Sequence, residues 1–157
     1  MGDVVSREQL ATACARLRRE AQRIVFTNGC FDLLHLGHVD YLKKAKSLGT
    51  VLVVGINDDA SVRRLKGSPR PIMPQADRAA IIAALASVDY TCLFTEDTPL
   101  ELIRAVQPDV LVKGADWVVD AVVGKDLVEA RGGTVTTIEF LPNRSTTAII
   151  AKIRESH

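Results

Sequence analysis

Apolar positions along the chain fall into short unbroken runs, and stretches of helical spacing separate one run from the next. Ile24-Val25-Phe26-Thr27, Thr50 to Ile56, Tyr90 to Phe94, Asp109 to Lys113 and Thr134 to Phe140 read as strands. The second of these is apolar almost throughout, as a strand covered on both faces must be. Gly37 to Leu48 places Leu42, Ala45 and Leu48 on one helical face and ends at Gly49. Shorter helices are predicted over residues 60–65, 75–86 and 125–131, the last stopped by Gly132-Gly133. Ser6-Arg-Glu-Gln9 has the form of a capping box opening a helix that runs to Glu20. Thr98-Pro-Leu-Glu101 has the same form, with Pro99 at the first helical position. Ser145-Thr146-Thr147 caps a final amphipathic helix. Lys66-Gly-Ser-Pro-Arg-Pro-Ile-Met-Pro74 is the clearest loop.

Strands alternating with helices predict an α/β fold: a Rossmann-like three-layer α/β/α sandwich around a five-stranded parallel sheet. The length of 157 residues suits a single domain, 1–157, with an N-terminal helix over residues 1–22 packed on it. Ligands of such sheets sit beyond the carboxyl ends of the strands, so the residues just after each strand are the informative ones.

Composition narrows the function classes. A hydrophobic fraction of 47% beside 25% charged residues is a globular balance rather than a disordered one. The net charge of +1 removes any broad electrostatic case for nucleic acid or an anionic membrane, so a basic site must be local. Cys14, Cys30 and Cys92 are odd in number and widely spaced, which points to a reducing, cytoplasmic setting rather than a disulfide framework. Met1 to Glu20 carries charge in every turn and has no signal-peptide core, and no apolar run is long enough to span a bilayer.

The densest chemistry follows the first strand, in Asn28-Gly-Cys-Phe-Asp-Leu-Leu-His35-Leu-Gly-His38. Two histidines three apart at a helix start face the same way, and free N–H groups there attract phosphate. Gly29 and Gly37 remove side chains where a ligand approaches. Alternative roles are a core or turn histidine, or a zinc pair with Cys30 or Asp32, although no standard metal spacing is completed. Distant residues favour phosphate. Lys66 and Arg70 belong to the proline-rich loop, and Arg78 lies one turn into a helix otherwise apolar around Ile81, Ile82 and Leu85. Arg63, Arg64, Lys43 and Lys44 read as solvated faces. Ser145, Thr146 and Thr147 beside Arg144 would form a second cradle. Lys113-Gly114-Ala115-Asp116 follows a strand, with Gly114 open to close approach and Asp116 suited either to ribose hydroxyls or to helix capping.

Taken together, Gly29-x-Phe31-Asp32-x-x-His35-x-Gly37-His38 and Ser145-Thr146-Thr147 resemble the cytidylyltransferase-like nucleotidyltransferases with the HxGH signature, over Arg23 to Ile153. Arg64-Leu-Lys-Gly-x-x-Arg-Pro71, Glu96-Asp-Thr-Pro99 and Pro108-Asp-Val-Leu-Val-Lys-Gly-Ala-Asp116 are similar to the adenylyltransferases of ADP-heptose synthesis. Those enzymes convert ATP and D-glycero-β-D-manno-heptose 1-phosphate to ADP-heptose and pyrophosphate.

The resemblance implies a catalytic set of His35, His38, Lys66 and Arg78, the histidines on the triphosphate and the two cations steadying phosphates during transfer. It implies nucleotide contacts from Gly29, Cys30, Phe31, Gly37, Lys113, Gly114, Asp116 and the Ser145–Thr147 hydroxyls. It places Asp32, Asn57, Arg70 and Arg144 on the acceptor side. It also implies Mg²⁺ with ATP, a homodimer, and a separate sugar kinase upstream, since many relatives carry that kinase as a fused domain. Trp117 to Gly124 departs from the more charged version of the fused enzymes. CTP with glycerol 3-phosphate, or ATP with another phosphorylated acceptor, is the alternative within the superfamily, and a nucleotide-binding regulatory module without turnover is the alternative outside it.

Overall fold

A computed structural model of the chain describes residues 1–156, so His157, the last residue of the expected domain, lies outside the described residues. Six strands form one sheet: β1 (Asp3–Val4), β2 (Ile24–Gly29), β3 (Val51–Asn57), β4 (Tyr90–Phe94), β5 (Val110–Gly114) and β6 (Thr134–Ile138). Seven helices accompany them: α1 (Arg7–Arg19), α2 (Leu36–Lys46), α3 (Asp59–Lys66), α4 (Gln75–Ala83), α5 (Leu100–Val106), α6 (Lys125–Glu129) and α7 (Thr146–Glu155). The order across the sheet is β1-β4-β3-β2-β5-β6, and every pairing is parallel.

The expected five strands are therefore six. The extra one, β1, pairs with β4 through Asp3–Tyr90 and Val4–Thr91 and is two residues long. Two residues show no alternation of apolar and polar positions, so hydrophobic pattern alone does not reveal such a strand. Main-chain bonds hold it: Asp3 N–H donates to Asp89 O at 3.0 Å and Val5 N–H to Thr91 O at 2.9 Å.

Period-two alternation along β2 explains the layers. Ile24 and Phe26 enter a core with Leu10, Cys14 and Leu17 of α1, Leu102 and Ile103 of α5, and Val128 of α6. Val25 points the other way, to Tyr41, Leu42 and Ala45 of α2 and Ala79 and Ile82 of α4. All seven residues of β3 are buried, as its unbroken apolar run requires. The capping box at α1 forms in full: Ser6 Oγ accepts from Gln9 N–H at 3.1 Å and Gln9 Oε1 accepts from Ser6 N–H at 2.9 Å. The second box does not form. Pro99 takes the N-cap position itself, without a side-chain cap bond, and α5 starts at Leu100.

From β2 the chain moves to β3 and β4 on one side, then crosses to β5 on the other. The crevice between the carboxyl ends of β2 and β5 is thus the topological switch point. Helix α7 ends the described chain beside it and has no fully buried side chain, so little apolar burial holds it in place.

Candidate active site

At the end of β2 the chain turns sharply through Cys30-Phe31-Asp32. Phe31 adopts φ +46°, in the left-handed region that bulky residues avoid, a strain of about 1–3 kcal/mol that the surroundings must hold. Its ring lies against Gly29, where a Cβ would stand 2.9 Å from Phe31 Cε2. The same ring meets His38 edge-on, with centroids 5.1 Å apart. His35 is the N-cap of α2 in extended conformation, and its side chain makes no capping bond. The first turn of α2 thus has no side-chain cap, and its His35 and His38 line the crevice.

His35 and His38 stack at 3.8 Å between ring centroids, 25° from parallel. Burial, and then the neighbouring His35, pushes the His38 pKa down to about 4, and burial lowers that of His35 as well. Both rings are accordingly neutral at pH 7, and each Nδ1 is buried without a hydrogen-bond partner among the described residues. They are poised as N–H donors and not as resident cations. Gly37 is buried off the cavity wall, and a Cβ there would meet the His35 ring at 2.9 Å. Its small size makes room for His35 instead of for a ligand.

The cations divide into two groups. Lys66, at the end of α3, is exposed on the cavity rim. Arg70 is beside it, its Nε donating to Asp32 Oδ2 at 2.6 Å. Asp32 also accepts from Ile72 N–H at 2.9 Å and Met73 N–H at 2.8 Å, so both carboxylate oxygens are committed to fastening the loop. Burial pushes the Asp32 carboxyl up, but these backbone donors and Arg70 outweigh it and hold the group below its ordinary range.

Arg78 stands apart. Its side chain is fully buried and off the cavity wall, donating to Met73 O at 3.0 Å, Cys30 O at 2.6 Å and Asp59 Oδ1 at 2.8 Å. The placement sets it behind the cavity wall rather than on it, and its hydrogen bonds tie three chain segments together. Asn57 is likewise buried away from the cavity, its Nδ2 donating to Ser61 Oγ at 3.3 Å.

The remaining expected residues do converge. Cys30, Lys113, Gly114 and Asp116 share with Phe31 and Asp32 a cavity of about 550 Å³. Arg144 and the start of α7, Ser145 to Thr147, close it on the other side. Ser145 Oγ accepts from Ala148 N–H at 3.1 Å, and Thr146 Oγ1 donates to Leu33 O at 3.2 Å, which ties α7 to the histidine loop. Two helix N-termini thus meet over one cavity.

Five wall residues were not expected from sequence, among them Leu65 beside Lys66 on the rim. Asn28 precedes Gly29 and accepts from Lys113 Nζ. Tyr41 lies one turn beyond His38 on the same helix face, a spacing that could have revealed it. Its hydroxyl shares a 2.8 Å hydrogen bond with Thr27 Oγ1, and its ring stacks on Phe140 at 5.2 Å. Trp117, the single tryptophan, follows the Lys113–Asp116 motif directly. Phe140 has no sequence signal; only the return of the loop after β6 brings it to the wall.

Comparison with known proteins fits this geometry. The family described as Cytidylyltransferase-like matches residues 26–152. The chain belongs to the cytidylyltransferase-like family. It is, by that membership, a nucleotidyltransferase with a nucleotide-binding site. The chain is 57% identical over 148 residues to the bifunctional protein HldE of Citrifermentans bemidjiense, covering 94% of this chain and 30% of that protein. It is 58% identical over 140 residues to HldE of Geobacter metallireducens, covering 89% and 29% respectively. The chain thus spans about 30% of the length of these curated relatives. Among solved structures, a lipopolysaccharide core biosynthesis protein from Thermoplasma volcanium superposes with a TM-score of 0.64 at 32% identity, over 76% of this chain and 97% of that one. The pantoate–β-alanine ligase of Francisella tularensis, at 16% identity and TM-score 0.60 over 99% of this chain and 78% of its own, shares the fold.

In a cytidylyltransferase-like enzyme the cavity must admit a nucleotide, and Gly114 sets the space. A Cβ there would meet Phe140 Cε2 at 2.1 Å and Asp116 Oδ1 at 2.7 Å. The substitution Gly114→Ala is expected to push Phe140 off its seat and set a methyl on the cavity floor, an overpacking cost of about 1–3 kcal/mol. Nucleotide affinity measured by calorimetry should fall about tenfold with the fold retained; unchanged affinity would remove Gly114 from the binding surface. Among the described residues no helix is long and apolar enough to cross a membrane. No group of three or more His, Cys, Asp and Glu side chains among them is placed to hold a metal ion.

Proposed function

We propose that the protein transfers AMP from ATP to D-glycero-β-D-manno-heptose 1-phosphate, giving ADP-heptose and pyrophosphate. The observation that carries this reading is the convergence of two helix N-termini, with His35–His38 on one and Ser145–Thr147 on the other, over one cavity at the switch point. The likeness to the HldE proteins over nearly the whole chain supports the sugar assignment, together with the strings around Lys66, Glu96 and Lys113.

An oxygen of the sugar phosphate attacks the α-phosphorus of ATP in line with the departing pyrophosphate. A phosphate monoester has its second pKa near about 6, so the nucleophile is already a dianion at neutral pH. No general base is needed, which suits two neutral histidines. The chemical task is to hold two polyanions together and to meet the charge developing on the α-phosphoryl and leaving oxygens. In this reading His35, His38 and the start of α7 hold the β- and γ-phosphates, and Lys66 and Arg70 close from the rim. Gly114 and Asp116 carry the nucleoside. Arg144 faces the acceptor, and Asp32 reaches it through Arg70. Mg²⁺ enters on the triphosphate as part of the substrate, screening its charge.

The acceptor is itself the product of phosphoryl transfer to a sugar, so a sugar kinase acts upstream. Exposed apolar side chains such as Leu36 and Ile153, 57% and 55% exposed, support pairing into a homodimer. The free cysteines Cys14, Cys30 and Cys92 accord with a cytoplasmic setting.

Pyrophosphate release from MgATP, measured with and without the β-anomer of heptose 1-phosphate, tests the reading. Release that requires both substrates is expected. Turnover of CTP with glycerol 3-phosphate, and none of ATP with the heptose, would replace it with the other branch of the family.

A further inference from the structure

Lys113 is the most deeply buried ammonium on the cavity wall, with 8% of its surface exposed. Among the described residues its ammonium has one hydrogen-bond partner, the neutral Asn28 Oδ1, and no carboxylate at ion-pair distance. Below it lies the Trp117 ring, 5.2 Å from Nζ to centroid. A buried charge in a folded protein is normally paired. Here the partner is missing on the side that opens to the cavity, so the site is built for an anion that arrives with the substrate.

The position of Nζ says which anion. Lys113 precedes Gly114 on β5 and reaches across to Asn28 at the end of β2. On the β5 side lies the nucleoside floor; on the β2 side lies the turn leading to the histidines that hold the outer phosphates. The α-phosphoryl group is covalently between these two parts of ATP. Resting on the proposed transferase activity, we infer that Lys113 is a catalytic residue that donates to a non-bridging oxygen of the α-phosphoryl group during transfer, with Asn28 aiming it. The new bond joins the acceptor oxygen to the α-phosphorus as the α–β bridging bond breaks. The electron pair of that bond leaves on pyrophosphate, and Lys113 keeps its proton throughout.

This role carries a pH signature. Burial pushes the Lys113 pKa down to about 8, against the pull of Asp116 and Cys30. Of the other groups facing the cavity, His38 from α2 is neutral, the Tyr41 hydroxyl is raised to about 12, and Lys66, Arg70 and Arg144 stand on the rim. Lys113 is therefore charged below pH 8 and loses its charge as pH rises through that value. The free-enzyme profile, kcat/KM, should fall on its alkaline side around pH 8. Substrate phosphates finish ionising near about pH 6 and leave that limb clear.

Three proteins decide the matter: wild type, Lys113→Met and Lys113→Arg, each assayed for pyrophosphate release and for ATP affinity by calorimetry. Lys113→Met should lower kcat at least 100-fold while the Kd for ATP stays within threefold. Lys113→Arg should keep a measurable rate and lose the alkaline limb, because a guanidinium holds its proton past pH 12. A kcat reduced less than tenfold in Lys113→Met, or a loss confined to ATP affinity, overturns the inference. Should Lys113→Met fail to fold, an alkaline limb unmoved in Lys113→Arg overturns it equally. A wild-type protein that releases no pyrophosphate defeats the parent reading and this one with it; an active wild type with indifferent variants defeats this one alone.

Discussion

Replacing His38 by alanine is expected to lower kcat about 100-fold or more while leaving the protein folded. A single well-placed donor to a developing oxyanion contributes about 3–4 kcal/mol to the transition state, and the neutral His38 ring is placed to be one. Stability should move far less, because two effects oppose each other. Deleting the ring removes its packing on Phe31 and His35. It also removes a buried Nδ1 with no partner among the described residues, a group that costs about 1–3 kcal/mol to keep unsatisfied. Steady-state turnover beside a thermal melt checks both halves. Lys66→Ala should show a similar loss of turnover with an unchanged melt, since its side chain is exposed. Near-normal turnover in both variants would remove these residues from the mechanism.

For Arg78 the expected result is the reverse: a large loss of stability. In Arg78→Met the buried guanidinium disappears, and Asp59 loses its partner along with the carbonyls of Cys30 and Met73. Breaking one side of a buried pair typically costs about 3–5 kcal/mol. For a chain of this size that corresponds to a fall in Tm on the order of 10 °C. Lysine cannot substitute, because a single ammonium lacks the planar fork that reaches three segments at once. Denaturant or thermal melts of Arg78→Met and Arg78→Lys check this. A melt like that of wild type, with turnover abolished, would show instead that Arg78 acts on substrate.

Arg78 also shows where reading the sequence stops. A lone arginine among Ile81, Ile82 and Leu85 announces that it is special, but the same pattern serves a phosphate ligand and a buried strut equally well. Only the position of the Cys30 carbonyl, 48 residues away in the chain, separates the two. Asn57 and Gly37 lie off the cavity wall for a related reason: being near a strand end or a motif does not settle which side of the backbone a group occupies. Elements with a strong local pattern were legible. β3 is apolar along its length, and the Ser6–Gln9 box is self-contained within four residues. β1 was not, because main-chain pairing holds its two residues with no periodic side-chain pattern. The histidine pair and the Ser145–Thr147 cluster could be read because helix starts fix their geometry locally. Phe140 could not, because the path of an irregular loop brings it over Gly114.

The shallow seating of α7 has a consequence for how affinity is apportioned. This helix brings Ser145, Thr146 and Thr147 to the cavity yet has no fully buried side chain of its own. Few buried apolar contacts make local opening of such a segment cheap, and any opening scales the affinity observed for a ligand it touches by the docked fraction. Apolar residues that seat the helix without lining the cavity, Ile149 and Ile150, thereby bear on substrate capture at a distance. Substitutions there would change how tightly substrate is held and leave every cavity-lining group in place.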